Sequence, residues 1–220
     1  PTPLFTELDL GGWVVRQTDS TQNYTLPAGT RARSAGFVII ARDAAQAAFE
    51  TYWGVTLGAN VTFVNSGGAM PVINGDETYT LENATGTVIE GPTRAIKSGG
   101  GESLRRVDFA LAANNAAAWT ASGAAAGQTT PGSLDAPARQ SGQIQFSEIA
   151  DSSGTGNFIY EYLEFYYDAE APPEPTPTPS PTVPPSPSPS PTASPTATSQ
   201  PTPTASPTPA GTGWSAWVLY

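Results

Sequence analysis

The chain has 220 residues, with 9 basic against 19 acidic side chains, a net charge of −10, and neither cysteine nor histidine. Without those two residue types there is no disulfide framework, no thiolate nucleophile, no Ser-His-Asp or Cys-His pair and no histidine zinc site. Its one lysine, Lys97, and its scattered arginines do not make the phosphate-neutralising surface on which nucleic-acid affinity rests, so no nucleic-acid partner is expected.

Short β-like runs dominate the first part of the chain, punctuated by Gly, Asn, Asp and Pro. Residues 12–17 alternate Trp13 and Val15 against Arg16, and residues 23–26 run into the turn Pro27-Ala28-Gly29. Residues 36–40 (Gly-Phe-Val-Ile-Ile) are continuously apolar, as expected of a strand covered on both faces, and 61–64 (Val-Thr-Phe-Val) read as another strand. Residues 77–81 alternate cleanly with Tyr79 and Leu81 inward. The hairpin signal Asn83-Ala84-Thr85-Gly86 then returns the chain through Thr87-Val88-Ile89.

Residues 43–49 break this pattern, with alanines of high helix propensity and no β-branched residue. One short helix is expected here, with Asp43 as its cap and Gln46 reaching back, held to the sheet by Phe49 and Trp53 and ended at Gly54. Residues 111–130 are rich in Ala, Asn and Gly and read as a long loop anchored by Trp119. Strand character resumes with alternation over 143–149, a turn over 152–157, and a long strand over 158–167.

From 172 to 211 the chain is almost wholly Pro, Thr, Ser and Ala, which leaves roughly 170 residues for a folded part. Proline fixes φ and removes amide donors, so this stretch reads as a disordered, largely polyproline II linker of about 3.1 Å per residue. A spacer is favoured over an SH3-type ligand, since no basic residue flanks a P-x-x-P. Residues 212–220 read as the start of a truncated following segment. No apolar run is long enough for membrane insertion.

Six motifs in order resemble those of the lamin tail domain family, in its bacterial secreted form. They are Leu10-Gly-Gly-Trp13; Tyr24-Thr-Leu-Pro-Ala-Gly29; the core strand Phe37–Ile40; Gly75-Asp76 through Leu81 with Gly86–Ile89; Gly101-Glu-Ser-Leu-Arg-Arg106; and Trp119 with Thr130-Pro131-Gly132. The resemblance covers about 125 residues and implies an all-β, immunoglobulin-like β-sandwich. One feature departs from the family order: Phe146-Ser-Glu-Ile149 and Tyr160-Glu-Tyr-Leu-Glu-Phe-Tyr166 resemble the family's opening hairpin but follow the domain. The domains are accordingly a lamin-tail-like sandwich over 1–135, N-terminally truncated, and a hairpin segment over 136–171. The hairpin is expected to pack in place of the missing opening strands, through an apolar face of Ile144, Phe146, Ile159, Leu163 and Phe165.

Glu148, Glu161 and Glu164 are the best candidates for an active carboxylate cluster, but in the resembled family the acidic pair belongs to the fold pattern, and a structural or solvated role is favoured over cation binding and catalysis. Asn74-Gly75-Asp76-Glu77 has oxygens for calcium yet lacks EF-hand spacing and reads as a turn; Gly99-Gly100-Gly101 is not a phosphate loop. The sequons at Asn23, Asn60 and Asn83 read as coincidental in a bacterial protein. Trp13 and Trp119 read as core anchors, whereas Tyr52 and Trp53 are the candidate ligand-binding residues, more so if exposed together with Phe49. No catalytic residue, metal or cofactor is expected. The expectation is therefore a non-catalytic binding or spacing module of an extracellular or cell-surface protein, partnered by an extracellular protein or polysaccharide. The alternative is an accessory domain of a larger secreted hydrolase, a nuclease or phosphoesterase, whose catalytic domain lies outside these residues.

Overall fold

A computed structural model describes residues 7–74, 76–96, 102–123, 127–134, 142–152 and 158–169. The linker at 172–211, the segment at 212–220, Gly75, the Gly99–Gly101 run and the turn residues 153–157 lie outside the described residues.

The described chain is all-β with one short α-helix. Its strands are β1 (Leu8–Asp9), β2 (Val14–Gln17), β3 (Asn23–Thr25), β4 (Arg31–Ala32), β5 (Gly36–Ala41), β6 (Val61–Asn65), β7 (Tyr79–Glu82), β8 (Val88–Glu90), β9 (Glu102–Arg106), β10 (Trp119–Gly123), β11 (Gln143–Ala150) and β12 (Tyr162–Asp168). A six-stranded sheet runs β10-β9-β11-β12-β5-β6, a four-stranded sheet runs β3-β2-β7-β8, and β1 pairs with β4. The core between the sheets brings Val15, Tyr79 and Leu81 against Val38, Ile40, Leu104, Phe146, Leu163 and Phe165. Tyr79 and Leu81 point inward, as their alternation predicts.

The 143–168 hairpin occupies the middle of the six-stranded sheet. β11 pairs with β9 on one side, and β12 pairs with all of β5 on the other, from Tyr162↔Ala41 to Tyr167↔Gly36. Phe146 and Phe165 face each other across the hairpin with ring centroids 4.5 Å apart. Ile159 does not join that apolar face. Residues Phe158–Tyr160 form a 3-10 turn rather than the start of a strand, and Ile159 is 40% exposed.

A third layer explains why β5 and β12 are buried at every position, and β11 at every position after Gln143. β5 and β6 are parallel, so the chain between them must cross over, and helix α1 (Gln46–Trp53) is that crossover. α1 places Phe49 and Trp53 on Ile39, Ala41, Ala150 and Tyr162, on the face of the sheet turned away from the first core. Further along that face Phe109 and the half-buried Leu134 pack on Phe37 and Tyr166. The polar positions of β11 and β12, which alternation alone would leave in water, therefore lie between layers.

Two local expectations are corrected. The helix is ended at Gly54 in the left-handed conformation, as expected, but its N-cap is Ala45, without a side-chain cap. Asp43 is held instead by its own amide to Ile159 O, and Gln46 reaches forward to Glu50. The 111–130 segment is not all loop: after a 3-10 turn at Ala116–Ala118, β10 pairs with β9 from Trp119↔Arg106 to Gly123↔Glu102. Its Ala-Ser-Gly composition carries little β-propensity, and tertiary packing of Trp119 and Arg106 decides the outcome. Trp119 is the buried anchor expected, donating its indole N–H to Ala113 O at 2.7 Å.

Candidate buried carboxylate site

The motif residues singled out along the chain meet in one network on the second face of the six-stranded sheet. Glu148 of β11 and Glu164 of β12 are direct cross-strand partners. A β-bulge between Phe146 and Glu148 inserts one extra residue, so Ser147 as well as Glu148 reaches the hydrogen-bonding network of this face. Ser147 Oγ donates to Glu164 Oε1 at 2.7 Å, and Ser103 Oγ of β9 donates to Glu148 Oε1 at 2.6 Å.

The lid of this site is the turn Thr130-Pro131-Gly132-Ser133, closed by Ser133 N–H to Thr130 O at 3.0 Å. Proline at the second position and glycine with φ of +79° at the third are the requirements of a type II turn. That geometry frees two amides to point downward. Thr130 N–H donates to Glu148 Oε2 at 3.2 Å and Gly132 N–H to Glu164 Oε2 at 2.5 Å. Each carboxyl thus accepts from one hydroxyl and one turn amide.

Glu148 and Glu164 are 1% and 0% exposed. Burial, opposed by the Ser103 and Tyr162 hydroxyls, the Thr130 amide and Arg105, pushes the Glu148 carboxyl up to about 7. Burial and then the facing Glu148 push Glu164 well above the ordinary carboxyl range, against the Gly132 amide and Ser147. Two carboxyls opposed in a low-dielectric layer cannot both ionise near neutrality, and they titrate as a pair. Tyr162, also fully buried, approaches this pair; burial first, and then both glutamates, hold its hydroxyl well above the ordinary phenol range.

Glu161 lies apart from them. Its Oε2 accepts Ile73 N–H at 3.0 Å, while its Oε1 is buried without a partner. Burial first, with the neighbouring Asp151 and Glu77 carboxylates, raises it to about 8 despite Arg42. The three glutamates therefore do not converge, and all three are buried rather than solvated. Among the described residues no group of three or more Asp, Glu, His or Cys side chains is placed to hold a metal.

Arg106, the arginine that ends the Gly101–Arg106 motif, is 2% exposed and ties the two sheets together. Its Nη1 pairs with Glu90 of β8 at 2.8 Å, its Nη2 donates to Leu111 O at 2.6 Å and its Nε to Asp108 O at 3.2 Å. The guanidinium also lies 5.3 Å from the Phe109 ring centre and 5.2 Å from that of Trp119.

Tyr52 and Trp53 do not form an exposed pair. Trp53 and Phe49 are fully buried, and the Trp53 indole N–H donates to Tyr160 O at 3.1 Å. Tyr52 is half-buried, stacked on Tyr160 with ring centroids 4.0 Å apart, and its hydroxyl donates to Ser152 O at 2.9 Å. An aromatic-lined opening lies elsewhere. An open pocket of about 370 Å³ is lined by Leu8, Trp13, Ile89, Gln143, Ile144 and Tyr167. Val88 and Ile89, on the edge strand β8 beside it, are 51% and 41% exposed. The available signal was the adjacency of Val88 and Ile89: neighbouring strand residues face opposite sides, so a short edge strand does not bury both.

Searches of family models, curated proteins and solved structures gave no match to this chain.

Proposed function

We propose that the chain is a non-catalytic binding and spacing module of lamin-tail type, belonging to an extracellular or cell-surface protein, with residues 172–211 as its linker. The observation that carries the reading is the fate of Glu148 and Glu164: their oxygens accept hydrogen bonds from Ser103, Ser147 and a closing turn, in a layer without solvent access. A glycosidase-like pair needs substrate between its carboxyls; this pair faces a backbone lid. The pocket that does open to solvent presents an indole, a phenol ring, aliphatic side chains and one amide. That set suits adhesion to a polysaccharide or an extracellular protein surface rather than bond cleavage.

Support also comes from the convergence of the motifs. Ser103, Thr130, Gly132, Ser147, Glu148 and Glu164 stand in separate stretches of sequence and form one hydrogen-bonded set, which accounts for their pattern without catalysis. Depletion of the full chain by a panel of insoluble polysaccharides and immobilised extracellular proteins tests the reading. Binding to one of them, weakened by Trp13→Ala and by Ile89→Ser with the fold intact, is expected. Turnover of nuclease, phosphoesterase or glycosidase substrates by the purified chain would overturn it.

A further inference from the structure

We propose that the Glu148–Glu164 pair is a proton-dependent latch: the Thr130–Ser133 turn stays seated while the pair keeps a proton, and lifts when both carboxyls ionise. The inference concerns regulation of the fold and does not depend on what the module binds.

The geometry makes the turn, which belongs to no β-ladder, the wall of this site that moves. Glu148 and Glu164 are fixed below by the β9-β11-β12 ladder, with Ser103 and Ser147 beside them. Above, the turn is attached by one amide to each carboxyl. It is also seated by packing: Thr129 and Pro131 are buried, Gly132 lies against Val61 and Leu57, and Ser122 Oγ donates to Gln128 O just before it.

The charges facing the pair do not balance two negative groups. Among the described residues β9 contributes one cation, Arg105, and β12 contributes the neutral phenol of Tyr162. From the helix side Phe49 and Trp53 pack on Tyr162 and add no charge. The turn itself adds amide dipoles and the buried Thr129 hydroxyl. One ionised carboxyl is thus compensated by Arg105, two hydroxyls and two amides, whereas a second leaves like charges opposed in a low-dielectric layer. Water relieves that repulsion, and among the described residues it reaches the pair by displacing the turn, where no strand stands in the way. The lifted turn uncovers part of the apolar surface around Val61.

The test follows exchange with water of the Thr130 and Gly132 amides in the full 15N-labelled chain from pH 6 to 9, corrected for intrinsic base catalysis. Val38 and Ile40 of β5 serve as internal references. The corrected exchange at both turn amides is expected to rise by about tenfold or more while β5 stays protected, a tenfold change being about 1.4 kcal/mol of opening free energy. In Glu164→Gln, and in Glu148→Gln should the first fold poorly, the rise is expected to disappear. Turn amides that stay protected to pH 9, that loosen only together with β5, or that open equally in a folded Gln variant overturn the latch.

Discussion

Replacing Arg106 by alanine is the most informative single perturbation of the sandwich, because this side chain is buried and bonded to both sheets at once. Its Nη1 holds Glu90 of the four-stranded sheet at 2.8 Å, while Nη2 and Nε satisfy the carbonyls of Leu111 and Asp108. The side chain is 0% exposed and that of Glu90 12% exposed, so truncation strands a mostly buried carboxylate and two carbonyl acceptors. Breaking a buried pair from one side costs about 3–5 kcal/mol, and total stability is only about 5–15 kcal/mol. The lost packing against Phe109 and Trp119 adds to the damage rather than offsetting it. Urea unfolding of the wild type, Arg106→Ala, Glu90→Ala and the double variant gives the cycle. Arg106→Ala is expected to lose about 4 kcal/mol, Glu90→Ala about 3, because it leaves the buried guanidinium without its counter-charge, and the double variant clearly less than their sum. A loss under about 1 kcal/mol for Arg106→Ala, or strict additivity, would refute the view that this contact ties the sheets together.

Three further outcomes follow from named contacts. The raised Glu161 carboxyl favours the folded state in its acid form, so its contribution is intact below about 4.5 and is lost as pH climbs through about 8; Glu161→Gln should flatten the alkaline decline in Tm between pH 5 and 9, and an unchanged slope contradicts the assignment. Gly132→Ala forces a side chain at φ +79° and sets a Cβ 3.1 Å from Val61 Cγ2, so it should cost about 1–3 kcal/mol, more than Gly127→Ala, where φ is +78° but the space is open; equal losses in thermal unfolding would deny the close seating of the turn. Trp53→Ala should cost about 3–5 kcal/mol as a core truncation, whereas Tyr52→Phe, which loses one hydrogen bond, should cost about 1 kcal/mol in the same assay.

Much of the strand framework was legible because it rests on local pattern. The unbroken apolar run at 36–40 reads as a strand covered on both faces and is one, and Tyr79 and Leu81 point inward by simple alternation. Gly54 ends the helix because only a residue tolerant of positive φ fits there. What stayed hidden depends on the third layer. Gln145, Ser147, Glu148 and Glu164 look like a solvent face until α1 and the 127–134 segment are known to cover it. β10 was missed because pairing with β9 and the seating of Trp119 override an Ala-Ser-Gly stretch of weak propensity. The carboxylate site was half legible: the glutamates and the Thr130-Pro131-Gly132 turn were each visible, but nothing local places a turn's amides over a cross-strand pair 18 and 32 residues further on.

β11 and β12 are the middle of the six-stranded sheet and bring the buried carboxylates with them. Removing residues 143–168 tests it most directly, since the deletion separates β9 and β10 from β5 and β6 and opens the core at Ile40 and Leu104. Circular dichroism and urea unfolding of the deleted chain are expected to show no cooperative transition. A cooperative transition with the midpoint and slope of the full chain would contradict the account.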